Sequence, residues 1–195
     1  MRYVALGDSY TVGTAVADAD RWPDRLARRI GDLELVANLG VDGATSAELI
    51  GHQLALLDQH RPELVSVLIG ANDVVQGVPD GDYAHNVAAI LDHLVGRVGS
   101  SHIVVVAIPD ATVATRWTEF GDPVEQSDAI LRFNAIMREA CEQRAVRFVP
   151  EVFEISREAV QGREPVAADG FHPSGAQYER WVDAIEPVVR SLLDA

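Results

Sequence analysis

The chain has no lysine, so all 16 of its basic residues are arginine. That excludes Schiff-base catalysis and any phosphate loop built on a lysine ammonium. Cysteine is nearly as scarce. Cys141 stands alone and cannot close an intramolecular disulfide, which suits a reducing compartment. It shares a helical pattern with Phe133, Met137 and Ala140 and reads as a small buried hydrophobe. Long apolar runs are missing too: none reaches the ~18 residues that a membrane span needs, and no basic, apolar leader precedes the first apolar stretch. The expectation is a cytoplasmic chain with no integral membrane segment. Positive charge is short overall. Thirty acidic residues against 16 basic ones leave a formal charge of −14, which repels nucleic acid and anionic membranes.

What is present is enough for one well-buried domain over residues 1–195, with 48% hydrophobic residues and no internal repeat. Tyr3-Val4-Ala5-Leu6 predicts a first strand, cut off by Gly7-Asp8-Ser9-Tyr10. Trp22, Leu26 and Ile30 then recur at helical spacing, with Pro23 suited to a first turn. A strand over 33–38 and a loop holding Gly40 and Gly43 come next. A helix is expected over 46–60, from Leu49, Ile50, Gln53, Leu54 and Leu57. Leu64 to Ile69 and Ile103 to Ile108 are continuous apolar runs, as in strands covered on both faces. Helices are expected over 83–98, 129–144 and 174–193, the last kinked or shortened by Pro187. A short strand is expected at Arg147 to Val149, and 151–168 reads as irregular in part. The alternation predicts a doubly wound, mostly parallel sheet of about five strands with helices on both faces.

Polar residues break the apolar pattern at the strand ends and in one late loop. Ser9 ends the first strand, at the edge where open α/β sheets bind ligands. Gly-Asp-Ser is also ordinary turn chemistry. Asn72 follows the 64–69 strand in Gly70-Ala71-Asn72-Asp73. Asp169-Gly170-Phe171-His172-Pro173 places a carboxylate three residues before an imidazole, and Pro173 keeps His172 out of the helix that follows. Together these supply a nucleophile, a base with its orienting acid, and oxyanion donors: the Ser9 N–H, a Gly43 N–H and the Asn72 amide. Asp8 and Asp73 are expected to hold loops through backbone hydrogen bonds. His52, His60, His85, His93 and His102 lack the two-His zinc spacing with a third ligand, and no metal is expected. The stretch from Asp110 to Asp128, with Arg116, Trp117 and Phe120, has no clean period and reads as pocket-lining loop.

These blocks resemble, in order, those of the SGNH hydrolases, also called GDSL esterases and lipases. Gly7-Asp8-Ser9-Tyr10 is similar to the serine block, with Tyr where the family usually has Leu. Asn38 to Thr45 is similar to the glycine block, with Gly43 as the donor in preference to Gly40. Gly70-Ala71-Asn72-Asp73 and Asp169-Gly170-Phe171-His172-Pro173 match the asparagine and histidine blocks. The resemblance implies a flavodoxin-like three-layer α/β/α fold, no metal or organic cofactor, and hydrolysis of small or medium acyl esters through an acyl-serine. Ser9, Asp169 and His172 would be catalytic, and Ser9, Gly43 and Asn72 would form the oxyanion hole. Within the family the alternative is a thioesterase or lysophospholipase, or a carbohydrate acetylesterase. A flavodoxin-like module binding a nucleotide or flavin is the alternative from another class, though no Gly-Xaa-Gly-Xaa-Xaa-Gly spacing supports it. The oligomeric state is not legible.

Overall fold

A sheet of five strands runs in the order β2-β1-β3-β4-β5, and every adjacent pair is parallel. The strands are β1 (Arg2–Gly7), β2 (Glu34–Asn38), β3 (Leu64–Leu68), β4 (Ile103–Val106) and β5 (Arg147–Val149). The structure is a computed structural model that describes residues 1–110, 112, 114, 116–158 and 166–194. β3 and β4 are buried at every position, which is why they read as continuous apolar runs without alternation. Ser66 is the polar exception in β3, and its hydroxyl is satisfied by the Tyr3 hydroxyl at 2.7 Å.

This is the flavodoxin-like strand order, in keeping with the fold that the family resemblance implies. Chain direction across the sheet reverses between β1 and β3, and in such folds the crevice at that switch point, beyond the carboxyl ends of the strands, is where ligands bind.

The connecting helices are α1 (Ser9–Val12), α2 (Trp22–Ile30), α3 (Ser46–Glu48), α4 (Leu54–Leu57), α5 (Ala71–Val75), α6 (Asp80–Val98), α7 (Pro123–Glu142), α8 (Glu151–Glu158) and α9 (Gly175–Leu193). α9 packs against α2 and α8, and α6 packs against α7. Arg29 ties α2 to α9 through Glu179, Asp183 at 2.5 Å and Glu186 at 3.3 Å, while Arg25 reaches Glu179 and Asp20. Such partly exposed pairs contribute little energy singly. Spanning two helices, they set how α9 lies.

Several elements depart from the sequence reading. The 46–60 helix is interrupted by a π-helical turn, Leu49–Gln53, between α3 and α4. α7 begins six residues early, because Asp122 accepts hydrogen bonds from the Val124 and Glu125 N–H groups and Pro123 fits the first turn. α8 is regular where irregular chain was expected, and residues 159–165 of that stretch lie outside the described residues. Pro187 does not shorten α9, which runs on to Leu193. Pro187 and Asp183 are both exposed, so the carbonyl that loses its partner faces water while Ile185 and Val189 stay buried. No described helix is long and apolar enough to cross a membrane.

Beyond the end of β4, Ile108 is held by a side chain. Asn134 on α7 accepts from its N–H at 2.8 Å and donates to its carbonyl at 2.9 Å, all of it buried. Asn134→Leu should leave both backbone groups buried and unpaired, lowering unfolding stability by about 2–4 kcal/mol. Urea denaturation checks this, and an unchanged midpoint would contradict the assigned role.

Candidate active site

At Gly7, the last residue of β1, there is no room for a side chain. A Cβ there would lie 2.2 Å from the Leu68 carbonyl oxygen and 2.3 Å from Thr11 Oγ1, at a φ of +153°. Asp8 then caps α1, its Oδ1 accepting from the Tyr10 N–H at 3.0 Å, and Gly13 closes the helix after one turn in the left-handed conformation. Ser9 thus opens a single-turn helix at the carboxyl edge of β1. Only 6% of its surface is exposed.

The loop after β2 packs against that turn. The Val41 N–H donates to the Gly7 carbonyl at 3.1 Å, Asn38 Nδ2 donates to the Thr11 carbonyl at 2.7 Å, and Thr14 Oγ1 meets Asp42 Oδ1 at 3.2 Å. The two glycines of this loop have different tasks. A Cβ on Gly40 would meet Val12 N at 2.7 Å and Asp8 O at 3.0 Å, so Gly40 serves close packing. Gly43 has a φ of +76° and nothing within 4 Å of its Cβ position, leaving room for an approaching group.

Asn72 lies on α5, just past the end of β3, across the switch point from Ser9. Its Nδ2 donates to the Ala44 carbonyl at 2.9 Å, which fixes the amide beside Gly43 and leaves its second N–H hydrogen to donate elsewhere. The next residue, Asp73, accepts from the Ser46 N–H at 2.8 Å and from Ser46 Oγ at 2.5 Å. Burial raises its pKa, and the two Ser46 hydrogen bonds offset part of that rise.

Asp169 and His172 form the fourth part. One carboxylate oxygen accepts from the Phe171 and His172 N–H groups, both at 3.0 Å, and the other meets His172 Nδ1 at 2.6 Å. Burial pushes the Asp169 carboxyl upward, but the hydrogen bonds from the His172 imidazole and the two N–H groups outweigh it and hold the group below its ordinary value. A carboxylate so held keeps Nδ1 as the protonated nitrogen and leaves Nε2 to exchange protons. The imidazole packs edge-on against Tyr10 at 5.9 Å and against Phe171 at 4.8 Å. His172 is therefore seated on the turn that carries Ser9. Ser174 caps α9 two residues later, so the ion pairs between α2 and α9 also hold this loop.

Part of the 110–128 excursion closes over the same loop. Trp117 stacks on Phe171 at 5.3 Å, Phe120 contacts Phe171 at 5.0 Å, and Arg116 Nη1 donates to the Asp169 carbonyl at 3.2 Å. Phe120 is 43% exposed and offers an apolar surface one ring removed from His172. Residues 111, 113 and 115 of the excursion lie outside the described residues. Sequence reasoning did not find the supporting roles of Tyr10, Phe171 or the Arg116 contact. The aromatic at Tyr10, directly after the serine, was the available signal for the first.

Known proteins resemble this chain over most of its length. The model of the GDSL-like lipase/acylhydrolase family matches residues 5–180. Esterase TesA of Pseudomonas aeruginosa is 24% identical over 97% of this chain and 88% of its own length. Thioesterase 1/protease 1/lysophospholipase L1 of Escherichia coli is 25% identical over 87% of this chain and 74% of its own. A crystal structure of TesA superposes with a TM-score of 0.77 at 23% identity, covering 98% of this chain and 99% of that one.

Beside Ser9 lies a buried carboxyl. Among the described residues, Asp8 Oδ2 has no hydrogen-bond partner, and Tyr10 Oη, also buried, has none either. Burial, with smaller contributions from the charges of Asp73 and Asp42, pushes the Asp8 carboxyl from 3.8 up to about 8 against the Tyr10 hydrogen bond. The folded state therefore binds more protons than the unfolded chain between those two values, and stability falls as pH rises through that window. Asp8→Asn keeps the Tyr10 hydrogen bond and removes the charge. It should stabilise the protein at pH 9 by at least about 1 kcal/mol more than at pH 5, measured by urea denaturation. An equal effect at both pH values would contradict this reading.

Proposed function

The chain belongs to the GDSL-like lipase/acylhydrolase family and is an ester hydrolase; we propose that Ser9 is its nucleophile and that the reaction passes through an acyl-serine. The observation that carries this is the imidazole of His172, held at Nδ1 by Asp169 at 2.6 Å and packed on Tyr10, the residue after Ser9.

In the first step Ser9 Oγ attacks the acyl carbon while His172 Nε2 takes its proton. The carbonyl oxygen becomes an oxyanion, received by the N–H groups of Ser9 and Gly43 and by the Asn72 N–H hydrogen that does not serve Ala44. As the tetrahedral species collapses, His172 gives the proton to the departing alcohol oxygen, and the acyl group stays on Ser9. Water then repeats the sequence: His172 takes its proton, the hydroxide attacks the acyl carbon, and Ser9 leaves with the proton from His172. Asp169 remains a carboxylate throughout and stabilises the imidazolium.

The substrate is a small-molecule acyl ester of small or medium chain length. The exposed side of Phe120, continuous through Phe171 with His172, supports an apolar acyl arm. The Escherichia coli relative is named a thioesterase and lysophospholipase, which favours acyl thioesters and lysophospholipids as the second reading. The same steps serve a thiolate leaving group.

Hydrolysis of p-nitrophenyl esters from acetyl to long acyl chains tests both parts. Ser9→Ala should lose at least about a thousandfold in kcat. Asn72→Ala should fall by roughly a hundredfold or more while its unfolding midpoint stays close to the wild type. Undiminished turnover in Ser9→Ala would sink the nucleophile assignment, and a preference confined to acetyl esters would remove the acyl arm.

A further inference from the structure

Gln53 is polar, 1% exposed, and bonded to the peptide that leads into the nucleophile. Its Oε1 accepts from the Gly7 N–H at 2.9 Å, and its Nε2 donates to the Gly7 carbonyl at 2.7 Å. These groups face the side on which β2 has already finished pairing. The last register pair there is Ala5 with Asn38, and only the Val41 N–H reaches the Gly7 carbonyl from the departing chain. The carboxamide takes the place of the missing strand residue. A π-helical turn, the rarest helical form and one enriched at functional sites, ends on this residue and brings it to the buried face with Leu49 and Leu54. Thr45 and Glu48 fix the start of that helix with a reciprocal capping box.

We propose that Gln53 is a positioning residue for Ser9. Gly7 has no side chain to anchor it, so hydrogen bonds to its N–H and carbonyl set how the two peptide groups on either side of it are turned. From the second of these the chain passes through Asp8, whose carbonyl accepts the Thr11 and Val12 N–H groups, into the one-turn helix that begins with Ser9. An error in the Gly7 peptide is carried to both the Ser9 hydroxyl and the Ser9 N–H, one the attacking group and the other an oxyanion donor. The inference rests on the assignment of Ser9 as nucleophile. It adds that turnover depends on a side chain that touches neither substrate nor reacting atoms.

The test compares two leucine substitutions that each delete a two-bonded clamp on a strand end. Gln53→Leu should lower kcat about 10- to 100-fold on a p-nitrophenyl ester, slow fluorophosphonate labelling in parallel, and leave KM within about twofold. Asn134→Leu, which releases Ile108 at the end of β4, should lose comparable stability with kcat within about twofold of wild type. Gln53→Glu supplies the reading that a merely structural role would not move. A protonated carboxyl keeps one donor and one acceptor toward Gly7, whereas the carboxylate has no donor. The ratio of variant to wild-type kcat should therefore rise as pH falls from about 8 to about 5, while titration of the base cancels in the ratio. A ratio that does not change with pH, or a folded Gln53→Leu with wild-type kcat and labelling rate, would overturn the proposal. Activity that survives in Ser9→Ala would instead locate the failure in the nucleophile assignment.

Discussion

β1 and β3 approach so closely at Gly7 that only a glycine fits between the backbones, and the site is built outward from that contact. The approach brings two parallel strand ends side by side at the point where chain direction reverses across the sheet. One strand leads into Ser9 and the other into Asn72. The β2 loop that carries Gly43 bonds to the Ser9 turn through Val41 and Asn38, and to Asn72 through Ala44. A side chain at Gly7 would displace the turn that begins two residues later.

The second constraint is that Ser9, the proposed nucleophile, sits on a one-turn helix with little local structure to hold it. Its stiffness is borrowed from elsewhere: Asp8 at the cap, Gln53 at the preceding peptide, Asn38 at the following turn. Carboxamides recur at strand ends across the sheet, not only beside Ser9. Asn72 bonds the Ala44 carbonyl, and Asn134 clamps Ile108 with both of its polar atoms. A carboxamide carries one acceptor and a donor in a plane, as a peptide does, so it continues a ladder where the neighbouring strand has ended. The histidine loop is steadied differently, by the Asp169 carboxylate within it and by ion pairs that lay α9 against α2.

What was legible in the sequence followed from locality. Asp169 and His172 are three residues apart, so their pairing needs no knowledge of the fold. Strand ends were visible because apolar runs such as Leu64 to Ile69 stop abruptly at polar residues, and fully buried strands show no alternation to blur them. Ser9, Gly43 and Asn72 came into view as breaks in that pattern, and the resemblance to the family blocks suggested the task proposed for each. The features that were missed depend on distance in space. Gln53 looked like one more position on a helical stripe, since nothing local announces a partner 46 residues away or a π turn beneath it. The start of α7 was hidden although Asp122 and Pro123 are strong start signals, because the aperiodic excursion before it masked the change. Pro187 was expected on propensity alone to kink or shorten α9, and its outward position made it tolerable.

Labelling the wild-type protein with a fluorophosphonate, followed by peptide mass mapping, tests the central claim most directly. One adduct per chain on the peptide carrying Ser9, with esterase activity lost in proportion to its occupancy, is the result this account predicts. Activity that persists at full occupancy of Ser9, or complete inhibition with the adduct on another residue, would contradict it.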